Sequence, residues 1–101
     1  MALAQEAVLA IIYQSLNNLN AERDPGSQVP VGIDTALFGS ASLLDSLALV
    51  SVISDVEMEV SDAVGEAVCL TDDQALSQAV SPFRDVRALC AYVLQLTAGK
   101  A

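Results

Sequence analysis

Ser46 is the residue of this 101-residue chain with the clearest opportunity for chemistry. It stands in Leu44-Asp45-Ser46-Leu47, where a turn-rich stretch gives way to a strongly periodic apolar segment. A serine at the head of a helix is exposed, and its hydroxyl lies beside backbone N–H groups that have no partner within the helix. The helix dipole adds partial positive charge there. An anionic ester on that oxygen is therefore favoured, by about 0.3–1 kcal/mol at an exposed site. The plainer role for the same residue is an unmodified cap or first-turn serine. Asp45 complements the helix dipole in either case.

Ser46 has no base to activate it. The chain contains no histidine, so neither a Ser-His-Asp nor a Cys-His arrangement exists. Cys69 and Cys90 are far apart in sequence and match no zinc-ligand spacing, so no metal site is expected. Two cysteines do not make a disulfide framework, which points to a reducing cytoplasm. Thirteen acidic residues stand against four basic ones, for a formal net charge of −9. No Lys/Arg patch is present to displace counterions from phosphates, which argues against nucleic acid. Anionic membrane surfaces would repel the chain for the same reason. A basic protein partner fits better, with charge steering the encounter. In the absence of a catalytic constellation the chain is not expected to be an enzyme.

The elements that must position Ser46 are legible as periodicities. The hydrophobic fraction is 53%, rich in Ala, Leu and Val, so the chain folds and leans towards helix. Its length suits one domain, residues 1–101. Leu9, Ile12, Leu16 and Leu19 recur at helical spacing and predict an amphipathic helix over Ala2 to Leu19, fraying at its Asn-rich end. This stretch lacks a basic start and is interrupted by Glu6, so it reads as neither signal peptide nor transmembrane span. Pro25-Gly26-Ser27, Pro30, Gly32 and Gly39-Ser40 then punctuate a long loop from Ala21 to Leu44. Ile33, Leu37 and Phe38 are expected to pin that loop to the core. Leu49, Val52, Ile53, Val56, Val60 and Val64 trace one face of a second helix, Ser46 to Val64, with Gly65 at its C′ position. Val68-Cys69-Leu70 reads as a short apolar link within the core, and Cys90 as a buried small hydrophobe. Thr71-x-x-Gln74 is a capping box that should open a short helix through about Gln78. A last helix, beginning at Ser81-Pro82 or at Asp85, carries Val86, Leu89, Cys90, Val93 and Leu96 on its apolar stripe.

Asp45-Ser46-Leu47 at this junction, the leading helix, the long loop with Phe38-Gly39 shortly before the serine, and the final helix together resemble the acyl carrier protein family. The resemblance covers nearly the whole chain. It implies an all-α, small four-helix carrier-protein bundle: three main helices, one short helix and a long first loop. It implies that Ser46 is the attachment site of a 4′-phosphopantetheine arm drawn from coenzyme A, with Asp45 and Leu47 flanking it, and that acyl groups ride on the arm as thioesters. A phosphopantetheinyl transferase would load the arm. Acyl ligases, synthases or acyltransferases with basic patches would use a monomeric carrier. By the same resemblance, Leu47, Val50 and Ile53 would line a cleft for the acyl chain, with core packing as the plainer role for each. Asp45 would assist recognition by partners.

The chain also departs from the common pattern. Its second helix is about one turn longer than usual, and Gln78 to Pro82 lengthen the link to the last helix. Acidic residues are common soon after the serine in fatty-acid carriers, but those early positions hold Ala48, Ser51 and Ser54 here. The acidic residues Asp55, Glu57, Glu59 and Asp62 come later, and partner recognition is expected to shift to them. These differences imply a specialised fatty-acid, lipid or polyketide-type pathway. Two other readings remain open: an aminoacyl or peptidyl carrier, and a helical interaction module without carrier activity. Leu43-Leu44 occupies the place where peptidyl carriers usually show glycines.

Overall fold

The computed structural model describes residues 4–37, 44, 46–70 and 83–97. Among these, every regular element is helical. Helix α1 spans Gln5–Ala21, α2 spans Ser46–Val64, and α3 spans Val86–Thr97, with a single 3-10 turn at Pro25–Ser27. Helix α1 packs against both α2 and α3. The radius of gyration is 13.0 Å, matching the ~13 Å of a folded chain of about 100 residues. Among the described residues, no helix is long and apolar enough to cross a membrane.

The helical stripes meet in one core. Val8, Ile12 and Leu16 of α1 are fully buried, against Val52, Val56 and Val60 of α2 and Val86, Leu89 and Val93 of α3. The steps of three and four between them put each set on one helix face. The register of α1 is turned slightly from the expected stripe. Val8 and Ser15 are buried, while Leu9 and Leu19 are half-buried. Leu49 and Leu96 also lie half-buried at the edges of their stripes. Helix α2 has the bounds that periodicity gives it. Gly65 follows with φ +79°, in the left-handed region that glycine enters without Cβ strain, and its N–H closes the helix on the Ser61 carbonyl at 2.9 Å.

Helix α1 does not fray at its Asn-rich end. Asn20 pairs with the backbone of Val29: Nδ2 donates to the carbonyl at 2.8 Å, and Oδ1 accepts the N–H at 2.7 Å. This pairing holds the chain after the 3-10 turn against the end of α1. Further along, Leu37 is fully buried in the core cluster and pins the loop; Ile33 is half-buried, and Phe38 lies outside the described residues. The loop backbone docks on the start of α3. Leu37 N–H donates to the Arg84 carbonyl at 3.0 Å, Val86 N–H to Thr35 at 3.0 Å, and Arg87 N–H to Ile33 at 2.9 Å. Ala36 and Asp85 thereby form an antiparallel bridge. Thr35 keeps this stretch in shape: its Oγ1 donates to the Pro30 carbonyl at 2.7 Å and accepts the Gly32 N–H at 3.0 Å.

Of the two starts expected for the last helix, the structure has the one at Asp85. Its Oδ1 accepts the Ala88 N–H at 2.8 Å, an N-cap bond. The side chains of the 68–70 link alternate in burial. Val68 and Leu70 point into the core and Cys69 points out. The expectation that Cys69 belongs to the core is corrected by that alternation. The expected short helix from Thr71 to Gln78 lies outside the described residues.

Candidate functional site

Ser46 is the first residue of α2. The helix starts there because the apolar period of α2 begins with Ala48, buried beside the core, while Leu44 just ahead packs half-buried against it. Nineteen residues of aligned peptide groups end at this point, and the first turn of α2 carries no acidic side chain. Its N-terminal N–H groups and the dipole therefore face an anion without a repelling carboxylate inside the first turn. Asp45 lies outside the described residues.

The three residues expected to line an acyl cleft are separated by the helix. Leu47 is 81% exposed and Val50 is 61% exposed, whereas Ile53 is only 6% exposed and joins the core cluster. A step of three residues turns a side chain by about 60° around an α-helix. The series Leu47, Val50, Ile53 therefore walks from solvent into the core. Beside Ser46 it presents the exposed apolar side chains of Leu47 and Val50.

The acidic residues of α2 also divide. Glu59 and Asp62 are exposed. Asp55 is half-buried at the α1 contact, where Ser15 Oγ donates to its Oδ2 at 3.4 Å and to the Val52 carbonyl at 3.4 Å. Glu57 lies two residues from Asp55 and from Glu59, on another side of the helix. Its Oε2 accepts the Leu70 N–H at 2.6 Å, and one turn on, Ser61 Oγ accepts the Val68 N–H at 2.9 Å. Glu57 thus holds the 68–70 link. Sequence reasoning misses this duty, because nothing local ties a carboxylate to an N–H 13 residues away. Ser15 was legible in principle as the small polar residue on the buried stripe of α1.

Among the described residues, two further titratable groups are shifted from their ordinary values. Burial pushes the Cys90 thiol up from its ordinary value, which keeps it protonated. The Arg87 guanidinium is raised by its hydrogen bond to Asp34, at 2.8 Å on the surface. Among the described residues, no group of His, Cys, Asp and Glu is placed to hold a metal ion. Comparison with protein-family models, with curated proteins and with solved structures finds no match to this chain.

Proposed function

We propose that this chain is an acyl carrier, with a 4′-phosphopantetheine arm attached through Ser46. The observation that carries the reading is the position of Ser46 as first residue of a 19-residue helix whose first turn holds no carboxylate. That setting fits the group: a phosphodiester on the serine oxygen would meet the helix N–H groups and the positive end of the dipole. When bound, the arm supplies a thiol on which acyl groups travel as thioesters. The protein's own part is to tether, present and be recognised. Tethering raises the local concentration of the cargo at a partner's active site. The exposed Leu47 and Val50 beside the attachment point offer an apolar surface to the arm, its cargo or a partner enzyme. The finer architecture belongs to this reading too: a fourth, short helix over Thr71 to Gln78 and a long first loop reaching Leu44.

The test is incubation with coenzyme A and a broad-specificity phosphopantetheinyl transferase, read by intact mass. Wild type should gain one phosphopantetheine. Ser46→Ala should remain folded, since losing even a capping hydroxyl costs only about 1 kcal/mol, and should gain nothing. Label on the Ser46→Ala protein, or none on wild type, would refute the assignment.

A further inference from the structure

Ser46 stands at the loosely packed end of α2. Of the side chains that follow it, Leu47 and Val50 are exposed. Ala48 buries only a methyl group, and Leu49 is half-buried at the edge of the core. Val52 is the first large side chain of α2 to be fully buried. It lies six residues after Ser46, about 9 Å along the helix axis. Helix ends fray first, and this first turn has little buried surface of its own to resist it. The upstream side is different. Leu44, two residues before Ser46, packs half-buried against the core cluster. The serine is therefore bracketed, by a leucine seated on the core ahead of it and by Ala48 and Leu49 behind it.

We propose that Leu44 is a positioning residue for the loading of Ser46: seated against the core, it fixes the backbone at the entry to α2 and so places the serine oxygen for the transferase. The proposal rests on the carrier reading of Ser46. Loading joins the serine oxygen to the pantetheine-side phosphorus of coenzyme A. It breaks the pyrophosphate link and releases the adenosine bisphosphate half, and the hydroxyl proton passes to a base on the transferase. Such a displacement needs the attacking oxygen in line with the leaving group, and a misplacement of about 1 Å can cost on the order of 10²-fold in rate. A helix start that frays presents the oxygen correctly for only a fraction of the time, and the rate falls by that fraction. Leu44 acts through the backbone, by keeping the first turn of α2 closed.

The experiment measures transferase loading by intact mass over a range of carrier concentrations, for wild type, Leu44→Ala, Leu44→Met and Ile12→Val. Amide exchange is followed by NMR on the same four proteins. Ile12→Val trims a fully buried side chain of α1 and controls for lost stability. Leu44→Ala should lower kcat by about threefold to tenfold and change KM for the carrier by less than about twofold. It should also speed exchange at Val50 and Ser51, whose amides close the first turn on the carbonyls of Ser46 and Leu47. Leu44→Met keeps a side chain of similar volume and should recover most of both. Ile12→Val should change neither. Loading of Leu44→Ala at the wild-type rate would overturn the proposal. So would an equal loss in Ile12→Val, no recovery in Leu44→Met, or a loss confined to KM, which would make Leu44 a contact of the transferase instead. If Leu44→Ala is unfolded by circular dichroism, Leu44→Val takes its place in the same comparison. If wild type accepts no phosphopantetheine, the carrier reading fails, and exchange at Val50 and Ser51 decides whether Leu44 anchors the helix start.

Discussion

Glu57 is the side chain whose role changes most between sequence and structure. In sequence it is one of four acidic residues on the helix after Ser46, all expected to meet partners. In the structure its carboxylate accepts the Leu70 N–H at 2.6 Å, next to Ser61 and the Val68 N–H. Leu70 is fully buried, so its N–H has little recourse to water if the carboxylate is removed. An orphaned N–H of this kind costs about 1–3 kcal/mol. Glu57→Ala should lower stability by that amount in urea unfolding, and Glu57→Gln, which keeps an acceptor oxygen, by clearly less. If both variants unfold at the same urea concentration as wild type, the bond contributes nothing. Ser46 behaves differently: its place at a helix start follows from its neighbours in sequence, so it was legible, whereas the duty of Glu57 depends on a fold-back that no local pattern encodes.

At the scale of elements, legibility follows the same division. Helix α2 was readable to its ends because its apolar period begins just after Ser46 and stops at Val64, before a glycine that the structure places at φ +79°. The end of α1 was not readable. Asn20 favours caps and turns in isolation, but here both halves of its amide are used by Val29, and the helix runs on to Ala21. The link at 68–70 was misjudged for want of its alternation, which turns Cys69 outward. The start of α3 had two readings in sequence, and the N-cap bond from Ala88 N–H to Asp85 decides between them. Asp85→Ala should therefore cost about 0.5–2 kcal/mol, with Asp85→Asn close to wild type. Thermal melts of the two variants check this. The ion pair with Arg84, at 3.2 Å and exposed on the Arg84 side, is worth little, so Arg84→Ala serves as the contrast.

Across the whole molecule, charge and connection are unevenly spread. Two of the four basic residues, Arg84 and Arg87, sit at the start of α3, while α2 carries Asp55, Glu57, Glu59 and Asp62 and no basic residue in its sequence. Arg84 pairs with Asp85 and Arg87 with Asp34, so that end carries little net charge, and the acidic flank of α2 gives the molecule an orientation in the field of a partner beyond its net charge. The start of α3 is also where distant parts of the chain are joined. The amides of Val86 and Arg87 donate to Thr35 and Ile33, about 50 residues earlier in the chain, and that of Ala88 donates to Asp85. A helix start ordinarily leaves such amides to water. Helix α1 does so: Ala4 precedes it without a side-chain cap. The two helix starts should accordingly keep different time against deuterium. Amides of Gln5 to Ala7 should exchange at once. Those of Val86 and Arg87 should wait for the 33–37 segment to lift off, so their rates report a long-range opening rather than fraying. Exchange followed by NMR would show it, and equal rates at both starts would mean that the join opens as readily as a free helix end.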